Sequence, residues 1–189
     1  AIDESPLRDN TIVIYTSDHG EMAGAHGFWQ KQCFYEEAVR VPLLVRLPGR
    51  KHVRVSPHVS LVDILPTLLA VADAEIPGDL PGTNLLPAIA AQPFDDRPVF
   101  SEYHTFGNEN AGYMIKAGNL KYIHYVGYEP LLYDLERDPD ETINLASEPQ
   151  YADNLARMHQ ELLKITDPVE TDRRAKANQA MTGIARATQ

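Results

Sequence analysis

Residues 11–16 (TIVIYT) form an unbroken run of β-branched and aromatic side chains. A continuous apolar stretch of that length predicts a strand buried on both faces, the kind found in parallel sheets. Polar Ser17-Asp18-His19-Gly20 follows at its C-terminal end, which is where ligands sit in open α/β sheets. A glycine-containing loop runs on to about Phe28. Residues 29–40 are expected to form a short helix, ended by Val41-Pro42 because a residue before proline avoids the helical region. Residues 43–47 read as a second buried strand, parallel to the first and closed by a Pro48-Gly49 turn. Leu61, Ile64, Leu65, Leu68, Leu69 and Ala72 recur at helical spacing and predict a helix over 64–72. Asp63 is its expected N-cap, which puts Pro66 in the first turn, where proline is tolerated. Residues 76–93, rich in proline and glycine, read as an irregular connector.

The pattern then changes. Residues 98–103, 113–117, 120–126 and 131–135 are short alternating runs separated by turn residues, which predicts an antiparallel meander. Leu155, Met158, Leu162 and Ile165 mark one face of a helix over 151–165. Residues 166–189 carry charge and alanine without a core pattern and read as a tail, with a helix as the alternative to an irregular one. The predicted organisation is α/β: an incomplete core over 1–92, a small antiparallel sheet with a helix over 93–165, and a tail over 166–189. Two parallel strands with their helices cannot close a doubly wound sheet, so further strands from polypeptide N-terminal to this stretch are expected.

Composition narrows the function classes. Apolar residues make up 43% of the 189 residues, enough for a core. The formal charge of −10 disfavours nucleic-acid binding, which needs a basic stripe. An anionic substrate must therefore be held by a local group of cations. A single cysteine, Cys33, precludes an internal disulfide framework. No run of eighteen apolar residues suggests a membrane span, and the polar opening residues do not read as a signal peptide. The compartment stays open.

The Ser-Asp-His-Gly step carries the first candidate chemistry. Asp18 offers an anionic oxygen and His19 an imidazole, and both suit a divalent cation. Neighbouring side chains diverge along a strand, but past the strand end both reach one ion. Lys31 follows the loop at a distance that brings an ammonium back over the strand end, where it would balance charge on an anionic ester. His26 lies in the same loop as a candidate substrate contact or acid. His104, at the end of a later strand before the loop 107–112, is a weaker candidate for substrate contact. His52, His58, His124 and His159 are assigned to surface or packing, and Tyr113, Tyr122, Tyr125 and Tyr133 to the sheet.

Thr16-Ser17-Asp18-His19-Gly20-Glu21-Met22, Gly24-Ala25-His26-Gly27, Trp29, Lys31, Phe34-Tyr35-Glu36 and Val39-Arg40-Val41-Pro42-Leu43 together resemble the sulfatase family of the alkaline-phosphatase-like group. Val62-Asp63-Ile64-Leu65-Pro66-Thr67-Leu68 is similar to the family's next helix. Leu132-Tyr133-Asp134-Leu135, Asp138-Pro139-Asp140-Glu141 and Asn144-Leu145-Ala146 are similar to its C-terminal hairpin and turn. The Asp-His pair resembles the branch with choline-sulfatase-like, iduronate-2-sulfatase-like and phosphonate-monoester-hydrolase-like members.

The resemblance implies sulfate-ester hydrolysis at one divalent ion, usually calcium, with manganese and magnesium as alternatives. It implies a formylglycine nucleophile made from Cys or Ser in a Cys/Ser-x-Pro-x-Arg motif. Asp18 and His19 would be the second pair of metal ligands, Lys31 the sulfate contact and Glu36 a buttress of the loop. Cys33 is followed by Phe34-Tyr35-Glu36 and is not the modification motif. It reads instead as a small buried helix residue. Ser147-Glu148-Pro149 is followed by Gln150 and Tyr151, so it fails as well. Asp95-Asp96 lies in the connector, not at an early strand end where the first metal pair belongs. The expectation is a C-terminal part carrying half of a sulfate site, inactive alone. Its substrate would be a small sulfate ester, and the tail would be free to dock on a second subunit. The rivals are a phosphonate or phosphate ester hydrolase of the same group and a non-catalytic binding or oligomerisation module.

Overall fold

A computed structural model of the chain describes residues 2–50, 52–104 and 109–182. The chain separates into two compact units, 1–96 and 97–189. Part of the loop 107–112 and the last seven residues of the tail lie outside the described residues.

The first unit contains β1 (Val13–Thr16), α1 (Glu36–Val39), β2 (Leu43–Arg46), α2 (Ile64–Val71) and α3 (Leu86–Ile89). The two strands pair antiparallel, with Val13 opposite Arg46 and Thr16 opposite Leu43, which corrects the parallel reading. A parallel pair needs a crossover packed against a face of the sheet. The connection here is a folded-back loop with one turn of helix, which returns the chain in the opposite direction. Nor is either strand buried on both faces, since Tyr15 is 64% and Leu44 59% exposed. The Arg46 guanidinium ties the opening segment to β2, reaching Asp3 Oδ1 at 2.6 Å and the carbonyls of Thr11 and Arg8 at 3.1 Å.

The expected helix over 29–40 shrinks to Glu36–Val39. Gln30 adopts φ +67, outside the helical region. Its N–H donates to Glu21 Oε1 at 2.6 Å and its carbonyl accepts from Met22 N at 2.9 Å. These bonds tie residue 30 into the neck of the loop and leave no backbone for a helical turn. Cys33 consequently sits half-buried in a bend, not within a helix.

Asp63 stands at the N-cap position of α2, as expected, but its side chain makes no cap bond to that helix. It serves instead in the capping box of the preceding turn, Leu61–Asp63, whose N-cap is Ser60. Asp63 is completely buried and spends its carboxylate on two backbone donors, Ser60 N and Thr83 N, both at 2.7 Å. Thr67 Oγ1 donates to Asp63 O and accepts from Leu85 N. The connector is thus fixed to α2 by polar bonds. Leu65 and Leu68, on the predicted apolar face, remain 51% and 41% exposed.

The second unit is the predicted meander: β3 (Val99–Tyr103), β4 (Gly112–Ala117), β5 (Leu120–Tyr125) and β6 (Leu131–Asp134), antiparallel in that order. The hairpin between β4 and β5 turns on Gly118-Asn119, with Gly118 at φ +55, a conformation that glycine reaches without a Cβ penalty. Helix α4 (Ala152–Ile165) lays Met158 and Leu162 onto this sheet, both at 0% exposure, against Tyr113, Ile115, Tyr122 and Leu132. Full burial of each such side chain contributes roughly 1.5–3 kcal/mol. Most of what reads as a tail is helix α5 (Pro168–Thr182), docked within its own unit. Asp172 accepts from Ala111 N at 2.8 Å, and Tyr113 Oη donates to the Pro168 carbonyl at 3.0 Å. Burial, with Glu102 and Asp172 nearby, pushes the Tyr113 phenol up to about 12.

The other face of this sheet hides an ion pair. Lys121 Nζ lies 2.8 Å from Glu141 Oε1, with side-chain exposures of 0% and 1%. The turn that brings Glu141 there is held by Asp138, whose carboxylate accepts from Thr142 Oγ1 at 2.9 Å and Ile143 N at 2.8 Å.

Candidate active site

The tip of β1 and the loop after it carry the candidate residues of the first unit. Asp18 Oδ1 accepts from the His19 N–H at 3.1 Å, which leaves Oδ2 free. His19 Nδ1 lies 2.7 Å from the Gly20 carbonyl. That bond fixes the proton on Nδ1 and leaves the Nε2 lone pair available, the usual arrangement for a metal-binding imidazole. Nε2 and Asp18 Oδ2 are 3.6 Å apart. Two donors on one ion with bonds of about 2.0–2.5 Å stand roughly 3–3.7 Å apart, so the spacing fits a shared cation. The donor set, one carboxylate oxygen and one imidazole, suits a divalent ion and could supply two of its ligands. Among the described residues no cluster of three or more His, Cys, Asp or Glu side chains is placed to hold an ion.

The backbone beneath the pair is locked. Gly20 N donates to Ala38 O at 2.8 Å, joining the strand tip to α1. A Cβ at Gly20 would stand 1.8 Å from the Glu37 carbonyl oxygen, so only glycine fits. Gly20→Ala is expected to destabilise the chain by about 3 kcal/mol, the upper range for overpacking against rigid atoms. Urea unfolding of the variant beside wild type measures it.

The loop closes on itself through Gly24 N to Phe28 O and Phe28 N to Ala25 O. His26, at φ +51, stacks on Tyr35 with ring centroids 3.8 Å apart and planes 7° from parallel. Sequence reading missed this stack, because nothing in the spacing of residues 26 and 35 announces it. Lys31 is exposed in a bend and makes no ion pair or hydrogen bond with Asp18 or His19. The structure thus brings Asp18 and His19 together, seats His26 on Tyr35 and leaves Lys31 extended toward solvent. His104 belongs to the second unit, where its Nε2 meets Glu102 Oε2 at 3.0 Å and its ring meets Tyr113 edge-on. Its Nδ1 is buried without a hydrogen-bond partner among the described residues.

The chain as a whole is similar to several known proteins. The family model described as N-sulphoglucosamine sulphohydrolase, C-terminal, matches residues 24–168. Mouse arylsulfatase K is 41% identical over 160 residues, 78% of this chain and 29% of the mouse protein. The chain therefore spans under a third of that relative's length. A structure solved in complex with its substrate D-glucosamine-2-N,6-O-disulfate superposes with a TM-score of 0.77 at 31% identity, covering 94% of this chain and 37% of that one. The phosphonate monoester hydrolase of Agrobacterium radiobacter superposes with a TM-score of 0.77 at 30% identity, covering 86% and 36%.

Proposed function

The chain belongs to the sulfatase family, in its C-terminal part, and on that premise we propose that it contributes half of the active site of a sulfuric ester hydrolase. The observation that carries this reading is the pairing of Asp18 Oδ2 and His19 Nε2, 3.6 Å apart at the tip of β1, with the imidazole tautomer set for ligation. Asp18 and His19 hold one divalent ion, calcium by family habit, with manganese and magnesium as alternatives. Such an ion supplies Lewis acidity toward the sulfate oxygens. The exposed Lys31 ammonium closes on the sulfate group when substrate is present and balances its charge. His26 faces substrate from the loop. The nucleophile, a formylglycine, and the remaining metal ligands come from polypeptide outside this chain. The 189 residues alone are accordingly inactive. A sulfated sugar is the substrate class favoured by the relative solved with glucosamine disulfate.

The likeness to a phosphonate monoester hydrolase favours a second reading, a phosphonate ester as substrate. The two are separated by assaying the full-length protein on an aryl sulfate and on an aryl phosphonate monoester. We expect kcat/KM for the sulfate to exceed that for the phosphonate by at least about tenfold, or 1.4 kcal/mol in the barrier. The reverse order transfers the function to phosphonate hydrolysis.

A further inference from the structure

We propose that Tyr122, His124 and His159 form a second cation site, for a borderline first-row ion such as Cu2+ or Zn2+, between the four-stranded sheet and α4. Tyr122 and His124 stand two residues apart on β5 and share the face that α4 covers. His159 follows the buried Met158 on α4 and meets them from the opposite side. Tyr122 Oη lies 3.0 Å from His159 Nδ1 and 3.4 Å from His124 Nδ1. Both imidazoles thus turn the same nitrogen toward one oxygen. A phenol has a single proton, so it can donate to only one of them.

The spacing is that of ligands around one ion. Donors at the corners of a tetrahedron with bonds of about 2.1 Å are roughly 3.4 Å apart. The two imidazole centroids are 5.8 Å apart. Rings bound through one nitrogen to a common ion at about 2.1 Å stand roughly 5–6 Å apart. Among the described residues none of the three side chains makes another hydrogen bond, so no competing partner there holds the donors away. Two nitrogens and one phenol oxygen suit copper or zinc better than calcium, whose shells are dominated by oxygen. His124 and His159 are only half-buried, which leaves a path for the ion and for a water as fourth ligand.

The neutral phenol carries one proton, with which an ion must compete. The ion therefore displaces the phenol proton as the metal–oxygen bond forms, and one proton leaves for each ion bound. Copper(II), the strongest binder of the first-row series, does this most readily.

The test titrates Cu2+ and Zn2+ into the 189-residue chain carrying Asp18→Ala and His19→Ala, so that the other candidate ligands are silent. One equivalent should bind, with release of a proton and a tyrosinate-to-copper charge-transfer absorption. His124→Gln and His159→Gln should each weaken binding at least about tenfold, the loss typical of a disturbed metal shell. Tyr122→Phe should bind more weakly, with neither the absorption band nor the proton release. Far-UV circular dichroism checks that each variant is folded. No charge-transfer band in the parent chain, or equal affinity in folded His124→Gln, would overturn the site.

Discussion

Asp18→Ala in the full-length protein should lower kcat/KM for an aryl sulfate about 10³-fold, equivalent to roughly 4 kcal/mol of barrier. On the proposed reading, the carboxylate Oδ2 would share an ion with His19 Nε2, 3.6 Å away. With that oxygen removed, such an ion would lose a charged ligand, and a single imidazole from this chain would not hold it. Asp18→Asn keeps an oxygen donor without the charge and should fall between the two. The folded state should be indifferent to either change. The Asp18 side chain is 83% exposed, and among the described residues its one further hydrogen bond is a local one from the His19 N–H. Steady-state kinetics beside a urea unfolding curve separates the effects: activity should collapse while the unfolding midpoint stays put. A variant with wild-type turnover rules out Asp18 as a ligand.

Lys121→Met should be the most damaging single change to stability, costing about 3–5 kcal/mol. Lys121 and Glu141 are both buried, and their charges meet at 2.8 Å. Removal of the ammonium leaves a carboxylate inside the unit without its counter-charge and far from water. The cost comes from that stranded anion more than from any net strength of the pair. Lys121→Met combined with Glu141→Gln should recover a large part of the loss, because a neutral amide is much cheaper to bury than a carboxylate. Chemical denaturation of the wild type, both single variants and the double variant closes the thermodynamic cycle. If Lys121→Met unfolds within about 0.5 kcal/mol of wild type, as surface changes do, the ion pair does not matter.

These two predictions differ in how far sequence could reach them. Asp18 and His19 adjoin at the end of an apolar run, so their candidacy is visible in a single string of residues. Lys121 and Glu141 are separated by a hairpin and a turn. Alternation along β5 suggests a solvent-facing lysine, and only the fold of the Asp138 turn reveals its buried partner. The meander and α4 were legible because turn residues and helical spacing are local signals, and the packing of Met158 and Leu162 follows them. Strand direction was not legible. Residues 11–16 read the same whichever way the partner runs, and the pairing of Thr16 with Leu43 is set by how the intervening loop folds back. The docking of helix α5 escaped for a different reason. The helix docks through Asp172 and the Pro168 carbonyl, so hydrophobic periodicity has nothing to detect. Likewise, the fit of Gly20 against the Glu37 carbonyl is a contact between backbones, which no side-chain pattern records.

The reading of the site rests on one carboxylate and one imidazole sharing an ion. The most direct measurement counts calcium, magnesium and manganese by mass spectrometry in purified full-length protein after exhaustive dialysis. Wild type should retain about one of these ions per chain, and Asp18→Ala combined with His19→Ala should retain essentially none. An undiminished metal content in the doubly substituted protein would contradict the account.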